Sequence, residues 1–185
     1  MLVPLLLEQG YRVKVLECFY FGEEPLSAVK DHPSLTVVRE DILNHENSSD
    51  LFEDVQAVVH LASISNDPSC DLDPNLTIRT NYLTTLSLAR RAKTEGVERF
   101  IFMSSCSVYG ASGESLLTET SDTGPVTLYA LSKLECEPRL FQLGDDSFAV
   151  TVLRLATLFG LSPRMRFDLA VNAMTKRGLQ NLDIM

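Results

Sequence analysis

Tyr129 and Lys133 stand four residues apart in the run Leu128-Tyr-Ala-Leu-Ser-Lys133, and a serine pair, Ser104 and Ser105, ends an apolar stretch about two dozen residues upstream. Four residues is close to one helical turn. A helix over residues 128 to 136 therefore puts phenol and ammonium on one face, where the cation can lower the phenol pKa. A free phenol titrates near about 10 and is too weak a base for neutral water. Beside a fixed cation it can take the proton of a hydroxyl while hydride leaves the same carbon, with Ser105 holding the oxygen. Tyr-x-x-x-Lys alone says little, because both residue types are common on helix surfaces. Its surroundings carry the weight.

Holding such a trio requires alternating strands and helices, and the chain supplies them. Residues 2 to 9 read as the end of a helix closed by Gly10, followed by a strand from Tyr11 to Leu16. Leu35 to Arg39 reads as a strand and Asn47 to Phe52 as a short helix. Ala57 to Ala62 is apolar throughout, as a buried parallel strand should be. Asp73-Pro74 opens a long helix, with Asp capping the free amides and Pro suiting the first turn, and Gly96 ends it. Phe100 to Met103, the Tyr129 helix, Phe148 to Leu155 and a helix from about Phe167 complete five strands in an α/β order. Pro138 falls inside the Tyr129 helix, where a kink or an early end is expected. Asn81 sits mid-helix, where its amide competes for the backbone; a local distortion or a pocket contact is expected there.

Composition narrows the class of function. With 185 residues, 45% apolar and 22% charged, the chain can bury one sizeable core and is expected to form a single domain. A net charge of −9 argues against nucleic acid as a partner. No apolar run reaches the ~18 residues of a membrane span, and the N-terminal residues lack a basic start and cleavage site, so a cytoplasmic protein is expected. Cys18, Cys70, Cys106 and Cys136 have no metal-type spacing and read as reduced thiols. Three histidines give no metal cluster, so no metal site is expected, and His60 reads as a satisfied buried histidine.

The run Arg99-Phe-Ile-Phe-Met-Ser-Ser-Cys-Ser-Val-Tyr-Gly110 resembles the Ser-Ser-x-x-Val-Tyr-Gly signature of the extended short-chain dehydrogenase/reductases, the nucleotide-sugar epimerases, dehydratases and reductases. Val58-Val-His-Leu-Ala62, Asp41-Ile42, Asn81, and Leu153-Arg154 ahead of Phe159-Gly160 follow in that family's order. The resemblance covers residues 1 to about 175. It implies a Rossmann-like doubly wound parallel sheet that binds NAD, with catalytic Ser105, Tyr129 and Lys133.

That fold begins with a strand and a glycine-rich turn for the pyrophosphate, and neither is found in these residues. The expectation is a single incomplete NAD-binding domain over 1–185, lacking the first strand and glycine-rich turn, with the C-terminal substrate-binding portion largely missing. The resemblance places Glu17 on the adenosine ribose, where a carboxylate favours NAD over NADP. It places Asp41 and Ile42 along the adenine, and Leu61, Ala62 and Ser63 under the pyrophosphate and ribose. Asn81, Ser104, Tyr129 and Lys133 complete the cofactor set.

A nucleotide-sugar substrate is implied on Ser65, Asn66, Ser105, Cys106, Ser107, Thr157, Arg164 and Arg166, the two arginines suiting a diphosphate. Relatives that expel water carry an Asp-Glu pair where this chain has Cys106-Ser107. Epimerisation by transient oxidation is therefore expected. The alternatives are a keto-sugar reductase using the same trio and a truncated fragment without catalysis. The resemblance also implies a homodimer through helices 74–95 and 128–144.

Overall fold

The computed structural model describes residues 1–111, 113 and 116–183, which fall into two compact units. The first comprises residues 1–41 and those from 157 onward. Its helix α1 (Leu2–Glu8) is closed by Gly10, whose φ of +83° suits a residue without Cβ. The amides of Gly10 and Tyr11 return to the carbonyls of Leu7 (2.9 Å) and Leu6 (3.0 Å), satisfying the helix end. Strand β1 (Val13–Glu17) then pairs in parallel with β2 (Leu35–Arg39), Val13 opposite Leu35 and Glu17 opposite Arg39. The last helix begins at Ala170, later than expected, because Asn172 holds the preceding loop. Its Nδ2 donates to the Arg166 carbonyl (2.9 Å), and its Oδ1 accepts the Gly160 amide (3.1 Å).

The second unit, residues 42–156, contains a sheet of β3 (Ala57–His60), β4 (Arg99–Ser105) and β5 (Ala149–Leu155), all parallel in that order. Central β4 buries Phe100, Phe102 and Ser104 on one face and leaves Ile101, Met103 and Ser105 half-exposed on the other. The rings of His60, Phe100 and Phe148 pack in series, with centroids 5.8 and 6.1 Å apart. Burial of such rings is worth roughly 1.5–3 kcal/mol each. β3 departs from expectation. Among the described residues it pairs only with β4; Ala57 is exposed, Val58 and Val59 are half-buried, and His60 is fully covered.

Helices fill the connections. The side chain of Asp73 accepts the Leu76 amide (2.9 Å), opening α3 (Pro74–Ile78) after the short α2 (Asp67–Leu72). The helix expected from Pro74 to Gly96 is interrupted by a π turn over Arg79–Thr84, centred on Asn81, before α4 (Thr85–Thr94). α5 (Leu128–Phe141) is capped by Thr127, whose hydroxyl accepts the Ala130 amide (3.2 Å). It runs past Pro138 to Phe141, so the expected early end is not found. The missing N–H falls near the last turn, where few bonds depend on it. The helix expected over Asn47–Phe52 is absent; Ile42–Asn47 forms a 3₁₀ turn and loose turns follow. Arg91 takes the carbonyls of His45 and Ser48, and the Asn-Ser-Ser-Asp run offers side chains that compete with helical bonds. No helix among the described residues is long and apolar enough to cross a membrane. The last helix of the first unit, Ala170–Leu179, is α6.

Candidate active site

β4 ends at Ser105 and passes into the 3₁₀ turn Cys106–Tyr109, and α5 packs against both the strand and the turn. Tyr129 lies in the first turn of α5, half-exposed, and Lys133 lies one turn further on the same helix. Lys133 is only 3% exposed. Its ammonium sits 4.9 Å from the centre of the Phe102 ring and 5.7 Å from that of Tyr129. Among the described residues no hydrogen bond or carboxylate reaches it. Burial therefore lowers its pKa to about 8, the nearby Cys136 and Cys70 thiols acting weakly the other way.

The turn after β4 orders Ser105. Its Oγ accepts the Ser107 amide (3.2 Å) and the Ser107 hydroxyl (2.9 Å). Cys106, between them, is exposed, and all four cysteines are free thiols. Ser104 points the opposite way. It is buried, and its hydroxyl donates to Glu137 Oε1 at 2.5 Å.

Glu137 was not singled out from sequence, yet it organises this region. It is 4% exposed and receives Arg154 of β5 through Nε at 3.1 Å to both carboxylate oxygens and Nη2 at 2.6 Å. Arg154 Nη1 donates to the Tyr109 hydroxyl (3.0 Å) and the Glu119 carbonyl (3.3 Å), and the Tyr109 hydroxyl donates to the Thr118 carbonyl (2.8 Å). The carboxylate pushes the Arg154 guanidinium pKa further up. Two strands, a turn, a loop and α5 thus meet at one charge pair. The signal was present: Glu137 follows Lys133 by four residues and Tyr129 by eight, on one helical face.

Asn81, placed by resemblance among the cofactor residues, spends its amide inside the protein. Oδ1 accepts the Ile64 amide (2.8 Å), and Nδ2 donates to the Ile64 carbonyl (3.0 Å) and the Ser132 hydroxyl (3.4 Å). This clamps the segment after β3, where Leu61 is exposed, Ala62 and Ser63 are half-buried and Ser63 donates to the Ile64 carbonyl (3.2 Å). The π turn leaves the Asn81 carbonyl to the Thr85 hydroxyl (2.9 Å) and the Cys136 thiol (3.3 Å). Because the Thr85 proton goes there, His60 Nε2 must donate to Thr85 Oγ1 at 2.8 Å. Burial first, then the charges of Lys133 and His45, lower the His60 pKa to about 3, so it stays neutral.

Ser65 is exposed at the same segment, and Asn66, at φ +123°, caps α2 by accepting the Ser69 amide (2.8 Å). Ile42 begins this unit. In the first unit, Glu17 is exposed and accepts the Phe19 amide (3.0 Å), and Asp41 is half-buried. Thr157 is exposed there too. The Arg164 guanidinium lies over the Phe21 ring at 3.4 Å, and Arg166 pairs with Asp168 (2.6 Å), holding that carboxyl below the usual range. No group of three metal ligands occurs among the described residues.

The family model described as "NAD dependent epimerase/dehydratase family" matches residues 1–183. The UDP-glucose 4-epimerase of Bacillus subtilis is 30% identical over 168 residues, covering 87% of this chain and 50% of that protein. The GDP-6-deoxy-D-mannose reductase of Pseudomonas aeruginosa is 33% identical over 151 residues, 77% of this chain and 50% of that protein. The UDP-glucuronic acid 4-epimerase of Bacillus cereus, solved with NAD, superposes with a TM-score of 0.81 at 26% identity over 99% of this chain and 60% of that one. The chain spans about half the length of the curated relatives it matches.

Proposed function

Because the chain belongs to the NAD-dependent epimerase/dehydratase family, we propose that Tyr129, Lys133 and Ser105 serve a nucleotide-sugar epimerase working by transient oxidation of one sugar carbon. Tyr129 takes the hydroxyl proton, the Lys133 ammonium stabilises the phenolate this requires, and Ser105 donates a hydrogen bond to the sugar oxygen. NAD, when bound, would supply the hydride acceptor, and in reduced form the hydride donor, for that carbon. Tyr129 then gives its proton back, so one residue is base and acid in turn. The donor set suits such a cofactor: ribose hydroxyls offer acceptors to the Lys133 ammonium, while Ile42, Leu61, Ala62 and Ser63 offer apolar and small surface beside it.

The observation that carries this reading is Lys133, a cation held at 3% exposure one turn behind Tyr129 without a carboxylate partner among the described residues. Such burial is costly and is found where a charge has work to do. Cys106-Ser107 supports epimerisation over water loss, since neither side chain replaces a carboxylate pair. The test is to incubate the chain with NAD and a panel of UDP-, GDP- and dTDP-hexoses and follow product mass. An epimer leaves the mass unchanged; a product lighter by one water overturns the assignment.

The reductase relative favours a second reading, reduction of a keto sugar by the same trio. Consumption of NADH or NADPH with a 4-keto sugar, without epimer formation, would select it. The coverage of about half of the relatives favours a third, in which these 185 residues alone do not turn over; the absence of product from every sugar tested is its outcome.

The same proposal includes a homodimer in the cytoplasm through helices 74–95 and 128–144. Leu131, Leu134, Pro138 and Phe141 repeat at three- and four-residue spacing along α5, with Leu131, Pro138 and Phe141 exposed. Beside them Arg139 reaches the Tyr82 hydroxyl. Sedimentation of the chain and of Phe141→Asp tests this: a dimer that the variant splits supports it, and a monomeric wild type refutes it.

A further inference from the structure

The proposed chemistry needs Ser105 to give a hydrogen bond, and the turn after β4 decides whether it can give or must take. A hydroxyl has one proton and two lone pairs. Ser105 Oγ accepts from the Ser107 amide at 3.2 Å and from the Ser107 hydroxyl at 2.9 Å, which uses both lone pairs. The amide bond is an ordinary cap for the turn Cys106–Tyr109. The hydroxyl bond is additional; capping does not require it.

We propose that Ser107 is a positioning residue that fixes Ser105 as an obligate hydrogen-bond donor to the reacting oxygen. The inference rests on the roles given above to Ser105 and Tyr129. With both acceptor sites filled, Ser105 cannot receive the proton of a bound alcohol, so that proton is left to Tyr129. The same Ser105 proton serves the alcohol and the ketone alike, so the oxygen keeps one partner through oxidation and return. Two bonds accepted also polarise the Ser105 O–H and make it a stronger donor. Without the Ser107 hydroxyl, a lone pair opens. A substrate alcohol can then donate to Ser105 and hold its proton away from Tyr129.

Two measurements decide this. Neutron diffraction from the deuterated chain should place the Ser107 hydroxyl deuteron on the line to Ser105 Oγ and the Ser105 deuteron away from Ser107. A Ser105 deuteron pointing at Ser107 Oγ overturns the proposal. In the epimer assay, Ser107→Ala keeps the capping amide, so its melting temperature should match wild type while kcat falls about tenfold with KM within about threefold, and Ser107→Thr should restore kcat. An unchanged kcat in Ser107→Ala also overturns it. If wild type converts no sugar, the epimerase reading fails, and the deuteron positions alone decide whether Ser105 is held as a donor.

Discussion

Glu137→Gln removes one charge and almost no volume from the place where β4, β5 and α5 meet. In the native chain Glu137 is 4% exposed and receives Arg154 through two nitrogens and the Ser104 hydroxyl. The glutamine keeps one acceptor oxygen but turns an amide toward the guanidinium. Breaking a buried pair by removing one charge costs about 3–5 kcal/mol. The Arg154 side chain is 18% exposed and retains the Tyr109 hydroxyl and Glu119 carbonyl, so the lower end applies, about 3 kcal/mol. At about 2–4 °C per kcal/mol for a chain of this size, the midpoint should drop by about 6–12 °C in thermal denaturation followed by circular dichroism. The charge and not the packing is responsible, so a Glu137→Met, Arg154→Met double variant should recover at least half of the loss. Additive losses in that double variant, or a Glu137→Gln midpoint within about 2 °C of wild type, would refute the reasoning.

Lys133→Met should raise thermal stability by about 3 kcal/mol at pH 7 and abolish turnover, because burial lowers the lysine pKa from 10.5 to about 8 and the fold therefore disfavours its charged form. The sign gives a second check: the unfolded chain binds the extra proton between about pH 8 and 10.5, so wild-type stability should rise over that window and the variant's should not. His60, lowered from 6.5 to about 3, makes its full contribution above pH 6.5 and loses it as the pH falls toward 3. Urea unfolding at pH 6.5 and 5 should show about 2 kcal/mol lost in wild type and clearly less in His60→Gln. Tyr129→Phe should eliminate epimer formation in the mass assay while cofactor titration stays within about threefold; near-native turnover would remove Tyr129 from its role.

The parts of the fold governed by short-range rules were legible. Gly10 and Gly96 closed their helices because both take positive φ, and Asp73-Pro74 opened one because side-chain oxygen and ring satisfy the first turn. β2 matched its expected limits of Leu35 and Arg39. Burial was less legible, because it depends on neighbours. Ala57-Val-Val reads as a two-sided buried strand, yet in a three-stranded sheet that places it at the end, Ala57 stays exposed and Val58 and Val59 are only half-buried. The Asn47–Phe52 region failed for a local reason: the side chains of Asn47, Ser48, Ser49 and Asp50 compete for nearby backbone groups, and the His45 and Ser48 carbonyls accept turn amides three residues on, together with Arg91 from α4, in place of helical bonds.

At the site, residue type and spacing identified Tyr129 and Lys133, but partners at long range determined what the polar groups around them can do. Asn81 read as a mid-helix oddity, and the distortion is there; its amide, though, acts on Ile64, seventeen residues away, so its effect on any ligand passes through the backbone after β3. Ser104 and Ser105 are chemically identical neighbours that strand alternation sends to opposite faces, one to Glu137 and the other to the Ser107 turn. A tandem serine therefore supplies a strut and a donor together. That division is why Glu137→Gln is expected to disturb position while Ser107→Ala disturbs only the proton. The two variants should accordingly separate: the first lowering the melting temperature, the second lowering kcat at constant melting temperature, with the reverse pattern contradicting the assignment of both residues.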